Sequence, residues 1–230
     1  MNKMESVFFV SMLTMSYGTA HAASVGEVFT GDMLGTDLRY FESVAGIARK
    51  SHGNDHEFKV QGCNITATIK SGTVTRLRME LAPNCHADLT KFVGDYAPAP
   101  GIPLTMGAFD ATSGGGALIY AVDCLRDCGN SEVPSVYAYW EGPHAVEYKN
   151  VMLEVALSSD AAIAAAENWE TQIQQPKGDD SVEDGVMERR FTCDPKSVPI
   201  IQKAFENVPV TAVSIGSWST SEAPRAFKGC

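Results

Sequence analysis

The feature that most constrains this chain is a two-residue alternation of apolar and polar side chains from Phe58 to Leu81, with Cys63 inside it and Cys85 just beyond. Ile65, Ala67 and Ile69 alternate with Asn64, Thr66, Thr68 and Lys70. Further on, Leu77, Met79 and Leu81 alternate with Arg76, Arg78 and Glu80. Successive side chains of a strand point to opposite faces, so this is the pattern of strands with one face buried and one wet. A tight turn at Gln61-Gly62 pairs Val60 with Cys63 and Phe58 with Ile65, apolar with apolar. For the next hairpin, a two-residue turn at Ser71-Gly72 would set Ile65 against Arg78 and mix the faces. A three-residue loop, Lys70-Ser71-Gly72, sets Ile65 against Leu77 and is therefore expected, with Gly72 left-handed. The expected inner face is Phe58, Val60, Cys63, Ile65, Ala67, Ile69, Leu77, Met79 and Leu81. Pro83 stops the last strand, and a Cys63–Cys85 bridge would fold the chain back over that face.

A three-stranded sheet with one apolar face needs a cover. Leu34, Leu38, Phe41, Ala45 and Ala48 recur at helical spacing, with Thr36 or Asp32 as the cap and Gly46 near the end. The order is thus helix, then meander, with Leu34-Gly35-Thr36 opening the helix and Ala45-Gly46 closing it. Over residues 30–85 this resembles, in architecture, the helix-plus-meander modules of the SmpA/BamE and β-lactamase-inhibitor-like group of bacterial envelope proteins. The resemblance implies protein–protein binding rather than catalysis.

Residues 1–22 read as a secretory signal peptide: Lys3 supplies the positive start, Val7 to Met15 a short apolar run, and Ala20-His21-Ala22 the cleavage site. That run is too short to span a bilayer, so no membrane insertion is expected after cleavage. All six cysteines lie beyond it, and an even count behind a signal peptide reads as disulfides in an oxidising compartment, periplasmic or secreted. The expected pairs follow chain order: Cys63–Cys85, Cys124–Cys128 and Cys193–Cys230. The formal net charge of −10 suits neither nucleic acid nor an anionic lipid surface.

Pro98, Pro100 and Pro103 in a Gly-flanked stretch mark a boundary. The expected organisation is a helix-plus-meander module at 23–93, a Pro/Gly-rich linker at 94–117 and a second α+β domain at 118–230. In the latter, strands are expected at Leu118 to Cys124, Ser135 to Glu141, Glu147 to Leu157, Val186 to Cys193 and Pro209 to Ser217. A helix from Asp160 to Gln174 would bury Ile163, Ala166, Trp169 or Glu170, and Ile173 below a Ser158 or Ser159 cap, and a shorter one follows Asp194-Pro195. The fold class is α+β: an N-terminal helix packed on a three-stranded antiparallel meander, followed by a second, mainly antiparallel α+β region.

Motifs that announce a reaction are missing. His52 and His56 are four apart, a metal-ligand spacing on a helix, but Gly53-Asn54 between them favours a loop, and no metal is assigned. Cys124 and Cys128 have three residues between them rather than the two of a redox pair, so they read as a staple. Gly114-Gly115-Gly116 lacks the Lys and Ser/Thr of a phosphate loop. Asp179, Asp180, Glu183 and Asp184 lack calcium-loop spacing and read as a solvated acidic segment. There is no G-x-S-x-G elbow. What remains is surface: Tyr137 and Tyr139 on one strand face, with Tyr120 or Tyr148 across from them, and Arg76 and Arg78 on the outer meander face. These are the candidate binding residues, and sheet interior or plain wet surface is the competing reading. The expected function is a non-catalytic, inhibitor-like protein that binds another protein, without cofactor. The alternative is a hydrolase whose site gathers distant residues, His144 among them.

Overall fold

Short polar side chains set where the first elements begin. Ser24 N–H donates to Glu27 Oε2 (2.7 Å) at the start of helix α1 (Val25–Val28). Asp37 Oδ1 accepts Tyr40 N–H (2.9 Å) and opens α2 (Leu38–Ala45), which Gly46 closes at φ 89°. The cap is therefore Asp37 rather than Thr36 or Asp32: Thr36 Oγ1 donates instead to Met33 O (2.7 Å), and Leu34 lies outside the helix. The computed structural model describes residues 23–116, 118–122, 133–142, 149–174 and 196–216.

Four strands follow: β1 (Lys50–His52), β2 (Asp55–Val60), β3 (Cys63–Lys70) and β4 (Thr73–Glu80). The β2–β3 register pairs Val60 with Cys63 and Phe58 with Ile65, as the alternation requires. The β3–β4 hairpin corrects the expected three-residue loop. Its turn is two residues, Ser71 (φ 51°) and Gly72 (φ 82°), and Lys70 faces Thr73. The faces still match, because the register shifts between Thr68 and Ile69 and leaves Thr75 as the extra residue of a bulge. Ala67 then faces Leu77 and Ile65 faces Met79. Thr75 Oγ1 donates to Thr68 O across the bulge (3.2 Å), and Val74 joins the core.

The remaining elements are α3 (Thr90–Val93), α4 (Met106–Ser113), β5 (Ile119–Val122), β6 (Ser135–Glu141), β7 (Asn150–Ala156), α5 (Asp160–Gln174), α6 (Val198–Phe205) and β8 (Ala212–Gly216). All eight strands form one antiparallel sheet in the order β1-β2-β3-β4-β8-β7-β6-β5. The molecule is thus α+β, and the meander is not free-standing. Strand β8 inserts between β4 and β7, so the Pro/Gly-rich stretch at 94–117 is an excursion of the chain and not a gap in the sheet.

One face of the sheet is continuous and apolar. Ala67, Leu77, Ile215, Val151 and Trp140 form one row across it, and Ile65, Met79, Val213, Leu153, Ala138 and Tyr120 form the next; all are buried. The helices contribute Phe41, Phe109, Trp169, Ile201 and Phe205 to the same core. Phe41 meets Phe58 edge-on (4.9 Å, 69°), and Phe109 meets Trp140 likewise (5.8 Å, 77°). Helix α5 buries Ala166, Trp169 and Glu170 as expected, together with Ala162 and Ala165, whereas Ile163 is 42% exposed. The helix packs chiefly against α6, and Trp169 reaches the shared core.

Candidate functional site

Arg76, Arg78, Tyr137 and Tyr139 all stand on the sheet face opposite the helices. Strand β8 offers only Ala212, Ser214 and Gly216 on this face, so Arg78 reaches over it from β4 to β7, a span of about 9–10 Å between strand axes. There Arg78 Nη2 lies 2.9 Å and Nε 3.0 Å from Glu154 Oε2, while Ser135 Oγ donates to Glu154 Oε1 (3.1 Å). Arg76 Nε donates to Thr68 Oγ1 (3.2 Å), which donates to Asp55 Oδ1 (2.6 Å). Both arginines are therefore tied into the sheet. Tyr139 is fully buried against Met152, with half-buried Tyr137 beside them. Burial first, and then the Glu141 carboxylate, push the Tyr139 phenol up to about 12. Tyr120 is not across from these two tyrosines. It pairs with Ala138 and points into the helical side, where its hydroxyl has no hydrogen-bond partner among the described residues. Burial, and next Asp110 and Glu206, raise its phenol far above the ordinary value.

His52 and His56 lie in the β1–β2 hairpin rather than a loop. Ser51 faces His56, so His52, one residue on, projects from the other side of the strand. His56 Nδ1 is 3.0 Å from Ser51 Oγ. The two imidazoles do not converge. Gly114, Gly115 and Gly116 all have positive φ and follow the end of α4, where Gly116 N–H donates to both Asp110 carboxylate oxygens (2.9 and 3.0 Å). Gln202 Nε2 donates to Asp110 Oδ2 (2.6 Å). The glycine run is a turn clasped by buried Asp110. Cys63 and Cys85 are bridged, with Cα atoms 5.5 Å apart. Cys124, Cys128, Cys193, Cys230, His144, Tyr148, the 179–184 acidic segment and the Val186 to Cys193 strand lie outside the described residues.

The surface that sequence reasoning missed is a groove of about 720 Å³ at one end of the sheet, where β4 leaves and β8 enters. One wall is the disulfide-tied segment 81–89, including Leu81, Ala87 and Leu89. The other is the Pro98–Leu104 strap, including Ala99 and Ile102. The floor is Pro209, Val210 and Thr211. The walls are fixed by main-chain bonds to that floor: Leu81 N–H to Thr211 O (2.8 Å) and Val210 N–H to Leu104 O (3.0 Å). Cys85 lines the groove itself, so the bridge to β3 holds one wall in place. Ile102 is 55% exposed there. Proline content at 98–103 was the visible signal, but prolines mark a linker and a rigid strap alike.

His86, Asp88 and Ser159 also border this groove. Their hydrogen bonds do not join them. His86 Nε2 donates to Pro83 O (2.8 Å), Ser159 Oγ accepts Ala162 N–H (3.2 Å) as the cap of α5, and Asp88 Oδ1 takes Thr90 N–H and Oγ1–H (3.2 and 2.5 Å). A hydrolytic triad needs the base bonded to nucleophile and to orienting carboxylate, and these three side chains are not bonded to one another. Among the described residues no cluster of three or more His, Cys, Asp or Glu could hold a metal ion, and no helix is long and apolar enough to cross a membrane. No protein-family model, curated protein or solved structure matches the chain.

Proposed function

We propose that this is an exported, disulfide-stabilised protein, periplasmic or secreted, that acts by holding a segment of another protein in the groove between residues 81–89 and 98–104. The observation that carries the reading is the groove's chemistry: mostly apolar walls on a rigid frame, with no bonded catalytic set among its polar residues. Its volume falls within the range of ligand sites, about 300–1,000 Å³. Export is supported by the leader-like residues 1–22 and by the Cys63–Cys85 bridge, since such bridges persist in oxidising compartments. The helix-plus-meander reading of the first half fits this role as a scaffold: α2 lays Phe41 on Phe58, and the meander carries the disulfide wall.

A random-peptide library selected on the purified protein tests the proposal. Selected peptides should lose binding when Ala99→Trp fills the groove and keep it when Tyr137→Ala alters the opposite sheet face. Peptides that ignore Ala99→Trp, or a selection that enriches nothing, would count against it.

A further inference from the structure

The chemistry of the groove also bears on what kind of segment it would take. Resting on the binding role above, we infer that the occupant is an extended peptide presenting apolar side chains next to lysine or arginine. The apolar part follows from Leu81, Leu89, Ile102, Leu104 and Val210 in the lining. The charge follows from three observations. First, among the described residues the lining holds one carboxylate, Asp88, and neither lysine nor arginine. Asp88 Oδ1 is used by Thr90, which leaves Oδ2 as an acceptor. Second, the strap is poor in donors. Pro98, Pro100 and Pro103 have no N–H, and the Ile102 N–H is already given to Ala99 O (3.2 Å). A wall that presents carbonyls with few N–H groups favours donors in its occupant, and Lys and Arg are donors only. Third, the chain's formal charge is −10, so its overall field also favours a cation. An anionic segment would meet Asp88 with no lysine or arginine among the described lining residues to offset it.

Fluorescence anisotropy with three labelled nonapeptides separates these contributions: alternating Leu-Lys, alternating Leu-Glu and alternating Ser-Lys, each with blocked ends. Leu-Lys should bind at least tenfold tighter than either of the others. Asp88→Asn should shrink the Leu-Lys preference over Leu-Glu several-fold without changing the thermal melt. Ala99→Trp should abolish Leu-Lys binding. If Leu-Glu binds as tightly as Leu-Lys and both are lost in Ala99→Trp, the groove reading stands and the cationic specificity falls. If Ser-Lys matches Leu-Lys, attraction to an acidic surface explains the binding and the apolar part falls. If Leu-Lys binding survives Ala99→Trp, the groove itself is overturned.

Discussion

Tyr120 and Tyr139 sit on opposite faces of one sheet and share one electrostatic fate: both phenols are withdrawn from water, and both resist ionising. For Tyr139 the folded protein keeps its proton between pH 10 and about 12, where the unfolded chain gives it up. The stability this represents is therefore present below pH 10 and is lost as the pH rises through about 12. An alkaline absorbance titration should show a late tyrosine step, near pH 12, that coincides with unfolding. A single step for all tyrosines would contradict the burial described. Arg78→Ala should cost about 1–3 kcal/mol, because it leaves the largely covered Glu154 carboxylate with Ser135 and no cation; chemical denaturation measures it. The sequence showed that Arg76 and Arg78 share a wet face and that Tyr137 and Tyr139 share another strand face. It did not show that β8 would bring Ala212, Ser214 and Gly216 between them, because that depends on a strand more than 130 residues away in the chain. Small residues on one strand and a long cation on the next become informative only once the two are known to be neighbours.

At the scale of elements, local periodicity located strands and helices well and their settings less well. Ser135–Glu141 and Asp160–Gln174 are legible because alternation and helical spacing are strong there. The β3–β4 register was misjudged because the turn alone was asked to keep the faces apart, whereas the bulge at Thr75 does so. On α5 the burial of Ala162 and Ala165 instead of Ile163 was not legible, because alanine carries little apolar signal. Close approach governs α4 and α6. A Cβ on Gly107 would stand 2.6 Å from the Glu206 carbonyl oxygen, while the Gly107 N–H donates to that same oxygen (3.0 Å). Gly107→Ala should push the helices apart and cost about 1–3 kcal/mol, read from a melt. An unchanged melt would mean that this contact is looser than the structure has it.

The whole molecule is held together by its last described strand. Because β8 fills the centre of the sheet, the β1–β4 and β5–β7 halves are joined only when residues 212–216 are in place, and cooperative unfolding of both halves follows. The groove lies where β8 enters, so its floor depends on the end of the chain and its walls on the Cys63–Cys85 bridge and the proline strap. The two walls are close in sequence but the floor, Pro209 to Thr211, comes from more than 100 residues further on, which is why the fold class was readable and the groove was not. Replacing both Cys63 and Cys85 by serine should lower stability by ~3 kcal/mol and weaken peptide binding beyond what the lost stability explains, because the freed wall must then be ordered by the ligand. The most direct measurement is amide hydrogen exchange on the protein with and without a groove-selected peptide. The account predicts slowed exchange in residues 81–89 and 98–104 and no change in β5 and β6. Protection confined to the outer face of β5 and β6, with the groove walls unaltered, would contradict it.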